Sequence, residues 1–204
     1  RYQSEGYAAR YRRLVEQACQ AESELAGGFA GFAASVARYG YKLMAYKDEY
    51  EVARLYSDGE FVKNIRHTFE GSFRLEFHLA PPLFARRNPY SGLPEKRTYG
   101  AWMLRAMGML ARLRWLRGTP FDVFGYTAER RAERQRITDY ETIIDELSRG
   151  LNHDNHALAT EIASLPDGIR GYGYVKNQHL DAVEVVQEDL LLRWRHKEDK
   201  ALAV

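Results

Sequence analysis

Apolar residues in the first quarter of the chain recur at intervals of three and four, which is the spacing of one helix face. A first helix is predicted by five of them: Tyr7, Tyr11, Leu14, Val15 and Ala18. A second, longer helix is predicted by a stripe of eight: Phe29, Phe32, Val36, Tyr39, Leu43, Tyr46, Tyr50 and Ala53. The small residues at positions 26–28 should separate the two, so the chain opens with a predicted helical hairpin.

The period changes to two at residues 73–79, where apolar side chains alternate with charged ones as in a half-buried strand. Ile65, His67 and Phe69 alternate in the same way on the other side of a turn at Glu70-Gly71. The two segments predict an antiparallel β-hairpin that ends at Pro81-Pro82. A hairpin of this size needs a helix to cover it.

Helical spacing returns after a polar loop at residues 86–98. A central helix is predicted by one face that Met103, Met107 and Leu110 widen: Trp102, Ala106, Met109, Leu113 and Leu116. Gly118-Thr119-Pro120 should stop this helix. The next helix should begin after a cap at Thr127 and end near Gly150.

Two further helices complete the pattern. A short one should follow Asn152 and end at Pro166. The last one should precede a charged tail at residues 195–200 and present one apolar face: Leu180, Val183, Val186, Leu190 and Trp194. The predicted fold class is therefore mainly α, a helical domain with a small antiparallel β-hairpin, and we expect residues 1–204 to form a single domain.

Composition narrows the class of protein. The net charge of +2, from 30 basic and 28 acidic residues, gives no strong field for nucleic acid or anionic lipid. No apolar run approaches the roughly 18 to 20 residues of a membrane span, and the N-terminus has no signal-peptide core, so we expect a cytoplasmic protein with no membrane partner. Cys19 is the single cysteine and cannot supply an iron–sulfur site alone. Because the chain starts at Arg1, we expect it to belong to a larger protein.

Three polar groups could carry chemistry, and each has a structural alternative. His153 and His156 are metal-capable, but no third ligand is apparent, so a polar first turn of a helix is the favoured interpretation. His67 and His78 are interpreted as ordinary sheet residues. The carboxylates of residues 47–51 could do acid–base work beside a lysine, although a helical or interface salt bridge is favoured there. The common hydrolase, metalloprotease and phosphate-loop motifs are absent from the sequence.

Basic residues give two candidate anion sites. Four arginines interleaved with glutamates could grip a phosphate or an acidic partner, although mixed charge also marks an exposed helix face: Arg130, Arg131, Arg134 and Arg136. The second candidate is the segment 169–176, where glycines allow close backbone approach and Arg170 and Lys176 supply charge. Its alternative is a tight connection between two helices.

Four long segments resemble one family. They are KLMAYKDEYEVARLY at 42–56, FHLAPPL at 77–83, LRGTPFDVFGYTAERR at 116–131 and LPDGIRGYGYVK at 165–176. Together they resemble the C-terminal domain of the fused bacterial indolepyruvate ferredoxin oxidoreductases, members of the 2-oxoacid:acceptor oxidoreductases. The resemblance spans nearly the whole chain.

The resemblance implies a parent enzyme that oxidatively decarboxylates aryl-pyruvates to acyl-coenzyme A and reduces ferredoxin. Thiamine diphosphate, Mg²⁺ and iron–sulfur clusters would carry that chemistry in other parts of the parent, so no catalytic or metal-binding residue is transferred to this chain. We expect a structural domain that packs against other domains or assembles a homo-oligomer, and 14 tyrosines suit such contacts.

Two alternatives to a packing role stay open. The domain could contribute a basic surface to coenzyme A or ferredoxin binding, through Arg170, Lys176, Arg130 or Arg134. It could also be an independent enzyme with an unrecognised pocket. The first alternative predicts salt-sensitive binding of an acidic partner, whereas the packing role predicts a large exposed apolar patch on the isolated domain.

Overall fold

The structure of the chain is a computed structural model that describes residues 3–46, 48–80, 95–171 and 174–202. Its helices, in chain order, are α1 (Glu5–Ser23), α2 (Phe32–Met44), α3 (Glu49–Ser57), α4 (Glu60–Thr68), α5 (Met103–Arg112), α6 (Ala128–Gly150), α7 (His156–Ser164) and α8 (Tyr174–Leu202). Two strands, β1 (Phe77–Leu79) and β2 (Arg97–Tyr99), form an antiparallel sheet. The predicted fold class, mainly α with a small antiparallel hairpin, is confirmed.

Contacts within the chain define two compact units. The first comprises Arg1–Tyr46 and Ala132–Val204, and the second comprises Lys47–Arg131. The assignment of residues 1–204 to a single domain stays a prediction. In the described part of the chain, no helix combines the length and the apolar composition needed to cross a membrane.

The first unit has a core built from α1, α2, α6, α7 and α8. Trp194 and Phe32 are fully buried at its centre, together with Ile144, Leu147 and Val36. Burying side chains of this size stabilises a fold by roughly 1.5–3 kcal/mol each, before the entropy of ordering them is subtracted. Apolar residues that predict helices α1 and α6 are therefore among the residues that these helices bury in the core.

Polar contacts join helices of the first unit that lie far apart in the sequence. Three pairs do so: Arg10 with Glu141 at 2.5 and 2.6 Å, Gln17 with Asp145 at 2.8 Å, and Glu22 with His156 at 2.7 Å. The Glu22 carboxylate also accepts the backbone N–H groups of Phe32 and Ala33 at 2.8 and 3.1 Å. It therefore satisfies donors at the start of α2 that have no partner within the helix.

The second unit has a smaller core of Ala53, Phe77 and Met107. Phe77 on β1 is opposite Tyr99 on β2, and its ring packs edge-on against Tyr56 with centroids 5.7 Å apart. Helices α3 and α5 pack together beside this hairpin. The expectation that the hairpin needs a helical cover is met by these two helices.

The predicted single helix from Phe29 to Ala53 is wrong, because the stripe is divided between α2 and α3. Helix α2 ends where the Ala45 N–H bonds to the Tyr41 carbonyl. Asp48 then caps α3, accepting the Glu51 N–H at 2.7 Å. Apolar spacing continues across the break and cannot reveal a cap, whose signal is a short polar side chain.

The predicted first strand at Ile65, His67 and Phe69 is also wrong. Residues 65 and 67 lie in α4, and residue 69 is the cap that ends it. Strand β1 pairs instead with β2, which occupies the end of the segment predicted as a polar loop. His78, unlike His67, is a sheet residue as predicted and its Nδ1 lies 3.1 Å from Thr98 Oγ1. The Pro81-Pro82 stop and residues 86–94 of the loop lie outside the described residues.

The boundaries predicted for the second half are mostly confirmed. Thr127 caps α6, accepting the Arg130 N–H at 3.3 Å, and α6 ends at Gly150. Helix α8, however, continues through the predicted charged tail to Leu202. Arg195 in that stretch holds Glu146 at 2.8 and 2.9 Å, so part of the tail's charge is used in a contact with α6.

The inward face predicted for α5 is confirmed only in part. Met107 is buried in the core of the second unit with Met103 and Leu110 packed against it, as predicted, while Trp102, Met109 and Leu113 are exposed. This helix carries apolar residues around most of its circumference. Periodicity alone therefore could not select the buried side.

Candidate functional site

The histidines considered as metal ligands lie at the start of α7. His156 Nε2 is 2.7 Å from Glu22 Oε1, and the rings of His153 and His156 each lie 4.9 Å from the ring of Phe29. Among the described residues, no three His, Cys, Asp or Glu side chains converge in a way that could hold a metal ion. His156 hydrogen-bonds to Glu22 and packs against Phe29, and His153 packs against the same ring.

The candidate anion residues of the first unit bind carboxylates or face solvent. Arg170 donates to Asp167 Oδ2 at 2.9 Å and to the Asp167 carbonyl at 3.2 Å. Lys176 forms an ion pair with the buried carboxylate of Glu133. Arg134 lies on the exposed side of α6. An anionic ligand of Arg170 or Lys176 would have to displace a protein carboxylate, which weakens the case for these two residues.

The fourth candidate, Arg130, belongs to a cluster in the second unit. Its Nε lies 3.4 Å from Glu49 Oε2. We define the paired-charge cluster as Asp48, Glu49, Tyr50, Arg117, Asp122 and Arg130. These residues come from two segments about 70 positions apart, one at the start of α3 and one from Arg117 through the loop before α6 to the first turn of α6.

Three hydrogen-bonded or ionic contacts and one cation–π contact connect the two segments of the paired-charge cluster. Arg117 donates to Asp48 with two nitrogens on one edge of its guanidinium, Nε to Oδ2 at 2.5 Å and Nη2 to Oδ1 at 2.8 Å. The Tyr50 hydroxyl donates to Asp122 Oδ1 at 3.2 Å. The Arg117 guanidinium also lies 5.6 Å from the centre of the Tyr50 ring, within range of a cation–π interaction. The third contact is the Arg130–Glu49 ion pair.

The carboxylates of the cluster also fix the local backbone. Asp122 accepts the N–H of Gly118 at 2.9 Å and that of Gly125 at 3.1 Å. Gly118 has φ +76°, a conformation that glycine adopts without steric cost. A Cβ at Gly125 would lie only 2.6 Å from Asp122 Oδ2. The buried Asp122 side chain thus joins the two ends of the segment 118–125.

Burial, followed by the nearby charge of Asp122, raises the pKa of Tyr50 to about 12. Tyr50 is therefore a neutral hydrogen-bond donor at physiological pH. Each carboxylate of the cluster has a guanidinium or hydroxyl partner. The arrangement is suited to holding the loop before α6 against the start of α3.

A cavity of about 300 Å³ lies beside the paired-charge cluster. Its polar members, Asp48, Glu49 and Arg130, belong to the cluster. The remaining lining residues are apolar: Val52, Ala53, Leu79, Ala80, Met103, Ala106, Met107, Leu110 and Phe124. This volume is at the lower end of the range for small-ligand pockets, and the lining favours an apolar occupant.

An exposed apolar stripe runs along α5 next to the cavity. Trp102, Met109 and Leu113 are 59, 64 and 42 % exposed, and their spacing of seven and four places them within about 40° of one another around a helix. Trp115, 68 % exposed, lies in the turn that follows α5, on a different face. We call Trp102, Met109 and Leu113 the exposed stripe. Ala106 lies between the stripe and the core, so the stripe and the cavity adjoin.

Arginines flank the exposed stripe. Arg105, Arg112 and Arg114 are exposed on α5 and the turn that follows it. Residues 47–131 contain 15 basic and 10 acidic side chains, a net charge of +5, which leaves 15 basic and 18 acidic side chains, a net charge of −3, in the rest of the chain. The net charge of the whole chain is near neutral, but the second unit, which carries the exposed stripe, is basic.

Comparison with known proteins identifies the family. The sequence matches a family of unknown function, DUF6537, over residues 1–189. The chain belongs to this family. No curated protein and no solved structure shows significant similarity to it.

Only part of this site is predictable from the sequence of this DUF6537 chain. The sequence favours a salt bridge for the charged residues at 47–51, with Lys47 and Glu51 as the expected pair. Lys47 lies outside the described residues, and Glu51 binds Arg54 at 2.7 and 3.0 Å. Charged residues next to aromatic ones at 47–50 and 117–130 were a signal for the cluster, but spacing could not show that the segments meet.

Proposed function

We propose that this DUF6537 chain is a non-catalytic accessory domain of a bacterial indolepyruvate ferredoxin oxidoreductase and serves domain packing or subunit assembly. The parent would be a cytoplasmic enzyme that uses thiamine diphosphate, Mg²⁺ and iron–sulfur clusters, and its other domains or a second copy would be the partners. The four segments quoted above support the parent. Two of them, 42–56 and 116–131, contain every residue of the paired-charge cluster.

The exposed stripe is the observation that supports a packing role. Tryptophan, methionine and arginine are enriched at protein interfaces, and tryptophan and arginine supply much of the binding energy there. Covering a Trp, Met or Leu side chain that now contacts water would stabilise a complex by roughly 1.5–3 kcal/mol each, minus the cost of association. A helix face with Trp102, Met109 and Leu113 exposed is therefore suited to a protein contact.

A second candidate is supported by the charge of the second unit. Ferredoxins are generally acidic, and a net charge of +5 over residues 47–131 would attract such a partner. Coenzyme A, with its phosphates, would respond to the same field. Arg105, Arg112 and Arg114 are better candidates for binding ferredoxin or coenzyme A than Arg170 or Lys176, because the latter two already bind carboxylates.

The test compares two double variants in the full-length parent enzyme. Met109→Ser with Leu113→Ser removes part of the exposed stripe. Val185→Ser with Leu192→Ser is the matched control, because these residues are also exposed and lie seven apart on α8. Sedimentation velocity, cofactor content and aryl-pyruvate-dependent dye reduction are measured for each enzyme.

The packing role predicts that the stripe variant loses assembly or compactness while its cofactors stay bound, and that the control behaves as wild type. A raised, salt-sensitive KM for ferredoxin or coenzyme A with intact assembly would support the second candidate instead. A lower kcat with assembly and every KM unchanged would contradict the non-catalytic role. An effect confined to the α8 control would assign the contact to the other helix.

A further inference from the structure

The cavity of the second unit differs chemically from the stripe beside it. Two methionines, Met103 and Met107, and the ring of Phe124 line it together with aliphatic side chains. Thioether sulfur and aromatic edges make favourable contacts with a further aromatic ring. The lining therefore favours an aromatic occupant over an aliphatic one of similar size.

The charges at the edge of the cavity are already paired. Asp48 is hydrogen-bonded to Arg117, and Glu49 Oε2 lies 3.4 Å from Arg130 Nε in an ion pair without a hydrogen bond between these two atoms. A charged group that entered the cavity would lose its hydration and would have to compete with one of these ion pairs for a charged partner. The occupant that costs least is therefore an uncharged aromatic ring.

The position of the cavity indicates where such a ring would come from. Ala106 lines the cavity, and it lies about 60° around α5 from Met109 of the exposed stripe. A partner surface that covered the stripe would reach the edge of the cavity at Ala106. Interfaces of this kind commonly place one large side chain in a pocket near their centre.

We propose that the cavity receives one aromatic side chain of the protein that covers the exposed stripe, and that this side chain lies on an acidic segment of that protein. The proposal rests on the packing role proposed above. The acidic character follows from the arginines at positions 105, 112 and 114, which flank the stripe and would meet the partner's charged residues at the rim. A volume of about 300 Å³ is large enough for any aromatic side chain.

The first test uses 4-fluorophenol, a soluble analogue of an aromatic side chain, with ¹⁹F NMR line broadening on the chain of residues 1–204. We expect saturable binding with a dissociation constant on the order of 1 mM, the range for one buried ring. Ala106→Leu, which fills the cavity, should weaken binding at least tenfold. Ala128→Leu, at an exposed position on α6, is the control and should bind as wild type. No binding, or equal binding by Ala106→Leu, would overturn the proposal.

The second test separates a partner side chain from a small molecule as the natural occupant. In the full-length parent, the partner's ring should already fill the cavity, so wild-type and Ala106→Leu parents should bind 4-fluorophenol equally. Ala106→Leu should also weaken assembly. Binding by the wild-type parent that Ala106→Leu abolishes would mean that the cavity is open to small molecules, and would overturn the proposal.

The outcomes distinguish this proposal from the packing role. If the parent with Met109→Ser and Leu113→Ser loses assembly and the Ala106→Leu parent keeps it, the proposed aromatic side chain in the cavity is wrong and the packing role stands. If both variants assemble normally, both proposals fail. Filling an apolar cavity should not lower the Tm of the chain; if Ala106→Leu does so, the smaller Ala106→Val replaces it in each test.

Discussion

Removing the Arg117 side chain should be among the most damaging changes to the second unit. Its side chain is 12 % exposed and that of Asp48 is 5 % exposed, and two contacts of 2.5 and 2.8 Å join them. In Arg117→Ala, the Asp48 carboxylate stays buried and keeps the Glu51 N–H but loses its guanidinium. Leaving one partner of a buried ion pair uncompensated costs about 3–5 kcal/mol, a large share of the ~5–15 kcal/mol that stabilises a typical domain.

The assay is urea unfolding followed by far-UV circular dichroism, with Arg195→Ala as the matched control. Arg195 holds Glu146 with the same two-pronged geometry, at 2.8 and 2.9 Å, but the two side chains are 56 and 28 % exposed. Because water screens that pair, its loss should cost no more than about 1 kcal/mol. The difference between the two variants reports the effect of burial together with the loss of the Arg117–Tyr50 cation–π contact.

A double-mutant cycle adds Asp48→Asn, whose amide oxygen can still accept the Glu51 N–H. The coupling energy between positions 48 and 117 should exceed roughly 1.5 kcal/mol, since the two residues are in direct contact. The reasoning would be refuted if Arg117→Ala and Arg195→Ala lowered the free energy of unfolding by the same amount, or if positions 48 and 117 proved additive.

Two further changes test other parts of the fold. Burial tends to raise the pKa of Glu22, but hydrogen bonds from His156 and from two backbone N–H groups of α2 outweigh it and lower the pKa from 4.5. The ionised Glu22 carboxylate therefore stabilises the fold above pH 4.5, and this stabilisation is lost as the pH falls through the lowered pKa. The difference in free energy of unfolding between wild type and Glu22→Gln, measured by urea unfolding, should be largest near neutral pH and should shrink in acid. Gly125→Ala should cost about 1–3 kcal/mol because the new methyl displaces Asp122, whereas Gly108→Ala on α5, whose Cβ would lie at an ordinary contact distance of 3.8 Å from Ser57 Cβ, should gain about 0.5–1 kcal/mol; thermal melts with similar values for both would contradict this account.

The sequence predicted the helices well and their breaks and faces less well. The spacing of apolar residues reported that positions 29–53 are helical, and most of them are. The Asp48 cap was visible as a short acidic residue followed by Glu49 and Glu51 in a first turn. An uninterrupted apolar stripe outweighed that signal. In helix α5 the uncertain feature is the buried face and not a break. Apolar residues around most of this helix leave no unique face to bury.

Part of the candidate site could be read from the sequence and part could not. The segments that contain the paired-charge cluster stood out through their resemblance to one family. The pairing itself joins residues 69 and 72 positions apart, Asp48 with Arg117 and Tyr50 with Asp122. Spacing carries no information about such contacts, because they depend on how α3 and the loop before α6 are packed. The cavity depends on the same packing, so the sequence could not predict it either.

The division of the first unit into two chain segments affects how the protein is made. Phe32 and Trp194 share one core, yet the ribosome adds the second of them ~160 residues after the first, which takes about 8 to 32 s at ~5–20 residues per second. The second unit is continuous in sequence and can fold during that interval. Helices α1 and α2 must wait for their C-terminal partners with an apolar face uncovered, so the nascent chain is most prone to aggregation, and most in need of a chaperone, before α8 emerges.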